Sequence, residues 1–199
     1  MPGHDVHEAF IAWARPPLGE RERPLFDRMA KRSGIAHRWS ILPQAGEGPG
    51  PVDPGGFYHG DPLPGTAARM ELYAEAAPEL ALAAIADLGE RASLDGITHL
   101  VVASCTGFVA PGIDQIIAAR LGLAPSVERL LVGFMGCYAA VVALRSARHI
   151  VRSEPASRVL VVTVELSSLH LSLTDKLEPM LAMLQFGDGA AAALVTSEP

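Results

Sequence analysis

The stretch LLVGFMGCYAAVVALRSARHIVR, residues Leu130–Arg152, decides how this chain folds. An apolar run, Leu130–Val132, enters a turn rich in glycine, and a segment with helical periodicity follows that turn. Cys137 stands between the two, so we expect it where a strand passes into a helix, at or just before the first helical turn. The buried face of this helix is predicted to consist of Ala140, Leu144, Ala147 and Val151.

The position of Cys137 indicates a chemical role. The N-terminus of a helix carries unpaired N–H groups and a partial positive charge, and both stabilise a thiolate, the reactive form of cysteine. We therefore interpret Cys137 as a catalytic nucleophile. The structural alternative is plain core packing, because a free cysteine is among the most frequently buried residue types.

Composition and charge exclude several classes of protein. The 199 residues are 49% hydrophobic and 19% charged, as in an ordinary soluble domain with a substantial core. A net charge of −6 gives no reason to expect nucleic acid or a membrane surface as a partner. No apolar run approaches the roughly 18 residues of a membrane span, and residues 1–15 do not form a signal peptide. The two cysteines cannot build a disulfide framework, so we expect a cytoplasmic protein.

The N-terminal part of the chain is predicted to be helical around a long loop. Residues 6–16 and 20–33 have helical patterns, and a third helix from Ala67 to about Ala92 is expected to break near Pro78. Residues 42–65 are too rich in proline and glycine for a helix or a central strand, and His59 there is expected to be an exposed loop residue.

Strands and helices alternate along the rest of the chain, which makes the fold class α/β. The predicted strands are Ile97–Ala103, Val127–Val132, Arg158–Leu166 and Ala190–Thr196, with helices at Ile113–Leu121 and after Cys137. Three turns lie at strand ends, namely Ser104–Gly112, Gly133–Cys137 and Phe186–Gly189. Because sites in layered α/β folds collect at strand ends, we expect these turns to share one pocket.

Four motifs carry a family resemblance. In chain order they are SCTGFVAPGIDQ at Ser104–Gln115, GFMGCYAA at Gly133–Ala140, VELSSLH at Val164–His170 and QFGDGAAAALV at Gln185–Val195. Each resembles a segment of the type III polyketide synthases, the chalcone and stilbene synthase family of the thiolase superfamily. The resemblance runs from about Leu25 to the end, and the joint occurrence of four motifs in order makes it specific.

The resemblance implies roles for individual residues. Cys137 matches the acyl-accepting nucleophile, and Cys105 stands where several bacterial members have a second active-site cysteine. The implied substrate pocket contains Cys105, Thr106, Phe186 and Glu165, in which Phe186 matches a gatekeeper next to the coenzyme A tunnel and Glu165 a buried acid. On these residues alone, Cys105 and Phe186 are equally consistent with core packing. An unpaired buried carboxylate is costly, so Glu165 is expected to have a partner.

A basic patch is the candidate site for coenzyme A. Arg28 and Arg32 are one helical turn apart, and by pattern alone they belong to a solvated helix face. The resemblance instead matches both to basic positions that contact coenzyme A phosphates at the tunnel mouth, although Leu25 stands where a third basic residue is usual. No metal and no tightly bound cofactor are expected.

The implied fold is the layered αβα half of a thiolase-like αβαβα fold, with residues 1–199 as one N-terminal domain that lacks the first strand and the C-terminal half. Ala110 matches a loop position that reaches across the family's dimer interface, which implies a homodimer. Family members take a histidine and an asparagine from the second half. A separate C-terminal half is therefore a candidate partner, and exposed apolar surface is expected on this chain.

The implied activity is that of an acyltransferase: capture of an acyl starter from acyl-CoA as a cysteine thioester, then decarboxylative condensation with malonyl-CoA to an aromatic polyketide or pyrone, incomplete in this chain alone. Two alternatives stay open. One is a condensing enzyme like ketoacyl synthase III, which the form of the Cys105 and Cys137 motifs disfavours. The other is a remnant without catalysis that binds acyl-CoA or pairs with an intact synthase.

Overall fold

The computed structural model describes residues 4–42, 56–59 and 61–197, which form two compact units. The first unit is built from Met70–Glu165 and Gly189–Pro199, and the second from Pro2–Arg69 and Leu166–Asp188. Most of the loop predicted at 42–65 lies outside the described residues, whereas His59 is described and exposed, as expected.

The elements alternate as the sequence predicts. The strands are β1 His4–Asp5, β2 Trp39–Ser40, β3 His99–Ala103, β4 Glu128–Val132, β5 Val159–Leu166 and β6 Asp188–Val195. The α-helices are α1 His7–Ala14, α2 Arg23–Arg32, α3 Thr66–Gly89, α4 Ile113–Arg120, α5 Ala139–Ser153 and α6 Leu177–Met183. Single 3₁₀ turns at Gly136–Tyr138 and Ser167–His170 precede α5 and follow β5.

A four-stranded sheet in the order β4-β3-β5-β6 forms the centre of the first unit. Strand β3 pairs in parallel with both neighbours, so that His99 lies opposite Glu128 in β4 and Val159 in β5. All five residues of β3 are buried, as in a parallel strand covered on both faces. This arrangement confirms the α/β class and places the C-terminal ends of β3, β4 and β5 side by side.

Helix α5 packs on β3 and β4 through a face that differs from the predicted one. Its buried residues are Ala139, Ala143, Ala147 and Val151. The prediction was wrong for Leu144, which is 48% exposed, and Ala140 is only half-buried. Three alanines spaced four residues apart let the helix backbone approach the sheet closely, where a leucine would hold it away. The helix therefore turns a smooth alanine face inwards.

Helix α3 runs unbroken through Pro78, which contradicts the predicted break. A proline inside a helix removes one N–H donor and crowds the carbonyl four residues earlier. The burial of Tyr73, Ala77, Ala81 and Ile85 on the same helix keeps it continuous, because apolar packing offsets the lost hydrogen bond.

The second unit contains helices α1, α2 and α6 and a two-stranded antiparallel sheet of β1 and β2. Helices α1 and α2 confirm the predictions at 6–16 and 20–33, and α2 contacts α6. Sequence patterns missed β1, β2 and α6, since elements of two to seven residues are too short to show a period. Among the helices of the described ranges, none combines the length and the apolar character needed to cross a membrane.

Candidate active site

Cys137 lies at the entrance of α5, as predicted. It is the middle residue of the 3₁₀ turn Gly136–Tyr138, which leads directly into the helix, and it is exposed. The turn before it is tight, because Phe134 and Gly136 have φ values of 57° and 58° in the left-handed region. Glycine adopts that region without strain, whereas a phenylalanine there is uncommon. The local backbone therefore presents Cys137 at a helix N-terminus and at the surface of the first unit.

Cys105 follows β3 directly and lies beside the Cys137 turn. Its Sγ donates a long hydrogen bond to the carbonyl oxygen of Gly136, at 3.7 Å. Cys105 is half-buried and also packs against the apolar cluster under α5. The two turns at 104–112 and 133–137 therefore meet, as expected for turns at the ends of strands. Cys105 contacts both the apolar cluster under α5 and the Cys137 turn.

Glu165, near the end of β5, fastens the loop that carries Cys105. The backbone N–H of Cys105 donates to both carboxylate oxygens, at 2.9 and 3.1 Å, and the Thr106 hydroxyl donates to Oε2 at 2.7 Å. The carboxylate thus has the partners that its position on a largely buried strand demands. Since hydrogen bonds to an ionised group are stronger than neutral ones, Glu165 fixes the start of this loop.

Tyr73 of α3 supports the same loop and was missed as a polar group by sequence analysis. Its hydroxyl shares a buried hydrogen bond of 2.6 Å with Ser104 Oγ. Burial raises the pKa of Tyr73 to about 12, so the phenol stays neutral at ordinary pH. A Cβ on Gly107 would lie 2.2–2.5 Å from the tyrosine ring, which explains the glycine at this position. Gly107, two residues after Cys105, is the feature of the sequence that could have indicated a close approach of another side chain to this loop.

An aromatic pair covers the outer side of these loops. The rings of Phe108 and Phe134 stack with centroids 4.1 Å apart and planes 6° from parallel. A Cβ on Gly133 would lie 2.7 Å from the Phe108 ring, so this glycine permits the stack. A small cleft beneath is lined by Tyr73, Ser104, Gly107, Phe108, Val109, Ile113 and Leu131. In the described ranges, no group of three or more His, Cys, Asp or Glu side chains is arranged to hold a metal ion.

The remaining predicted site residues belong to the second unit. Phe186 follows α6 and is 46% exposed. Arg28 and Arg32 are exposed on successive turns of α2, with Leu25 half-buried on the same helix. Within this unit the helix of the two arginines, α2, contacts α6, the helix that Phe186 follows.

The first unit exposes a run of large apolar side chains, as the sequence predicts. They are concentrated on edge strand β4, the Cys137 turn and the outer face of α5, and comprise Leu130, Leu131, Phe134, Met135, Tyr138, Val141 and Leu144. Phe134 is the most exposed, at 86%. Large exposed apolar side chains in such number are typical of an interface with another polypeptide.

Two curated relatives show what this chain is similar to. The alpha-pyrone synthesis polyketide synthase-like Pks18 of Mycobacterium tuberculosis is 44% identical over 131 residues, which are 64% of this chain and 33% of the relative. The bisdemethoxycurcumin synthase of Oryza sativa subsp. japonica is 39% identical over 141 residues, 68% of this chain and 35% of the relative. The chain therefore spans about a third of the length of these relatives.

A solved structure extends the likeness to the whole chain. The 1,3,6,8-tetrahydroxynaphthalene synthase of Streptomyces coelicolor A3(2), a bacterial type III polyketide synthase, has a TM-score of 0.84 and 25% identity. The match covers 100% of this chain and 55% of that structure, which confirms the layered thiolase-like fold. A family model described as the N-terminal domain of chalcone and stilbene synthases matches residues 21–199. Because this match takes in well over half of its length, the chain belongs to the chalcone and stilbene synthase family and corresponds to the N-terminal domain.

Proposed function

We propose that this chain is the acyl-capturing part of a type III polyketide synthase, with Cys137 as its nucleophile. One observation carries the proposal: the exposed Cys137 sits at the N-terminus of α5, in the motif that matches the family's nucleophile. The unpaired N–H groups and the partial positive charge of a helix N-terminus favour the thiolate that the reaction needs.

The first step is a thioester exchange. The Cys137 thiolate attacks the carbonyl carbon of an acyl-CoA, and the coenzyme A thiolate leaves, so that the acyl group is held on Sγ. No oxidant, metal or tightly bound cofactor takes part. Covalent capture divides a difficult condensation into two easier steps.

The second step forms the carbon–carbon bond in the whole synthase. Malonyl-CoA loses carbon dioxide, and the resulting enolate attacks the thioester carbonyl while the Cys137 thiolate leaves. Repetition and cyclisation give an aromatic ring or a pyrone. Two of the similar proteins, the alpha-pyrone synthesis polyketide synthase-like Pks18 and the 1,3,6,8-tetrahydroxynaphthalene synthase, support both product classes.

The other residues take supporting roles in this proposal. Arg28 and Arg32 bind the phosphates of coenzyme A, for which the guanidinium fork is well suited. Phe186 gates entry of the acyl chain, and Cys105 and Thr106, held by Glu165, line the substrate pocket.

We further propose that the synthase is a cytoplasmic homodimer. The exposed apolar side chains of β4, the Cys137 turn and α5 support it, because such a surface is stable in water only when covered. Ala110 lies in the loop next to this surface in sequence, and by resemblance it reaches towards the second copy. Equilibrium sedimentation checks the assembly, and a strictly monomeric protein would contradict it.

Incubation with a radioactive or mass-labelled acyl-CoA tests the central proposal. We expect intact-mass analysis to show one acyl group on the wild-type chain and none on Cys137→Ala, while Cys105→Ala retains the label. Both cysteines are free, so the second variant is a matched control for non-specific acylation. Label that persists in Cys137→Ala, or that is absent from the wild type, would sink the assignment.

A further inference from the structure

Arg38 is a buried arginine that no proposed step uses. It immediately precedes β2, is 4% exposed, and lies over the ring of Phe10 with its guanidinium carbon 4.5 Å from the ring centroid. Burying a guanidinium is costly unless its donors are satisfied. Burial lowers the pKa of Arg38 to about 10, although the negative charge of Asp188 opposes this effect. Because burial of a guanidinium costs desolvation free energy, we expect Arg38 to have a role beyond core packing.

The two Nη groups of Arg38 donate to one short segment at the end of α6, whereas its buried Nε has no hydrogen-bond partner among the described residues. Nη1 donates to the carbonyl oxygen of Met183 at 2.8 Å and also to that of Phe186, and Nη2 donates to the carbonyl oxygen of Leu184. The last carbonyl groups of a helix have no partner within the helix. One planar guanidinium thus satisfies three carbonyls and fixes the backbone from which the Phe186 side chain projects.

The same segment is fastened at its other end by Asp188. Its carboxylate accepts the N–H of Ile41 at 3.0 Å, the N–H of Ser168 at 2.8 Å and the Ser168 hydroxyl at 2.6 Å. Between the two anchors, a Cβ on Gly187 would come 3.1 Å from the carbonyl oxygen of Trp39 in β2. Phe186 therefore stands on a backbone that is held on both sides and pressed against β2.

We propose that Arg38 is a positioning residue that sets the placement of Phe186, and so determines which acyl chains pass it. This rests on the proposed function, in which Phe186 is the gate. The side chain of Phe186 is half exposed, so its position depends strongly on the backbone that carries it. A lysine at position 38 keeps the charge but cannot span three carbonyls, because an ammonium is a point donor without the planar fork.

Arg69 provides a matched control within the same unit. It also donates to backbone carbonyls, at 2.8 Å to Pro64, 2.8 Å to Leu169 and 3.3 Å to Leu171, but none of these belongs to the Phe186 segment. Replacing Arg69 with lysine removes a carbonyl clamp of the same chemistry. A change in the rate ratio that came only from lost stability would therefore appear in both Arg38→Lys and Arg69→Lys.

The test measures the rate of thioester formation on Cys137 from a short and a long acyl-CoA, by intact-mass analysis. We expect Arg38→Lys and Phe186→Ala each to change the long-to-short rate ratio by roughly fivefold or more. The double variant should match Phe186→Ala, since Arg38 acts only through that side chain. Arg69→Lys should leave the ratio unchanged. Gly187→Ala disturbs the segment while Arg38 stays in place, and it should shift the ratio in the same way.

The outcomes separate the two proposals. A wild-type chain that takes no acyl group overturns the proposed function, and the role of Arg38 with it. If the wild type is acylated, a ratio unchanged in folded Arg38→Lys refutes only the role of Arg38, as does an effect that adds to that of Phe186→Ala. Should Arg38→Lys fail to fold, Gly187→Ala decides, because an unchanged ratio in that variant contradicts the proposal.

Discussion

Glu165 in the first unit and Asp188 in the second have the same structural task. Each is a single carboxylate that accepts hydrogen bonds from another part of the chain within its own unit. Glu165 accepts from the loop after β3 at 2.7–3.1 Å, and Asp188 accepts from Ile41 and Ser168 at 2.6–3.0 Å. Loops at strand ends have no ladder partner, so an anion that gathers their N–H groups satisfies them.

The two anchors differ in what accompanies them. Beside Glu165 the second support is a neutral hydrogen bond between Tyr73 and Ser104. Beside Asp188 it is the charged Arg38, whose donors serve carbonyl groups. Burial raises the pKa of Asp188, whereas Asp5 in the same unit has its pKa lowered by hydrogen bonding. The loop after β3 is thus held through the Cys105 N–H and the hydroxyl groups of Ser104 and Thr106. The segment at 183–188 is held through its carbonyl groups and through the Asp188 carboxylate.

The largest effect should come from removing Glu165. In Glu165→Ala the half-buried donors of Cys105 and Thr106 lose their carboxylate acceptor, which costs about 2–3 kcal/mol in the free energy of unfolding. Urea denaturation of the wild type and of Glu165→Ala measures this difference in the free energy of unfolding. Thr106→Val removes only one of these donors and should cost about 1 kcal/mol. Equal costs for the two variants would show that the loop does not depend on the carboxylate.

The sequence predicted those parts of this site that depend on local pattern. The strand–turn–helix around Cys137 follows from apolar runs and periodicity, and the contact with the Cys105 loop follows from parallel neighbouring strands. The partner Cys105 lies 60 positions from Glu165 along the chain, and the partners of Asp188 lie 147 positions away at Ile41 and 20 positions away at Ser168. Hydropathy patterns contain no information on hydrogen bonds between residues so far apart in sequence. A partner for Glu165 could therefore be expected, but its identity could not be predicted.

The prediction of the buried face of α5 was wrong for a related reason. Hydropathy placed Ala140 and Leu144 inside together with Ala147 and Val151. The sheet instead accepts the face of Ala139, Ala143, Ala147 and Val151. Which of two helix faces turns inwards depends on how closely the partner sheet approaches, and this distance is a tertiary property. Leu144 remains outside as part of the exposed apolar surface.

A smaller effect is expected at Gly107, in the loop after β3. It tests whether Tyr73, which forms the neutral hydrogen bond with Ser104, supports this loop. In Gly107→Ala the new methyl group meets the Tyr73 ring at 2.2–2.5 Å, and such overpacking costs about 1–3 kcal/mol. Thermal unfolding measures the cost. Gly189→Ala is the matched control, since no described atom lies within 4 Å of its Cβ position. Adding Tyr73→Leu to Gly107→Ala should recover part of the loss, and strictly additive costs would count against a clash with Tyr73.

The smallest effect is expected at Asp5 and Asp188 of the second unit, whose contributions to stability should change with pH in opposite directions. Hydrogen bonding to His37, and to the N–H groups of Arg38 and His7, lowers the pKa of Asp5 from 3.8 to about 2. Its contribution is therefore full above about pH 4 and is lost as the pH falls towards 2. The Asp5 carboxylate is partly exposed, so the contribution stays below about 1 kcal/mol.

Asp188 should behave in the opposite way. Burial raises its pKa, so folding favours its protonated form, and the wild type gains stability relative to Asp188→Asn as the pH falls through the folded pKa. Urea denaturation between pH 7 and pH 3 compares each variant with the wild type. The difference between wild type and Asp5→Asn should shrink on acidification, while the difference between wild type and Asp188→Asn should grow. Parallel trends would mean that burial does not separate the two carboxylates, and the contrast between the anchors would fail.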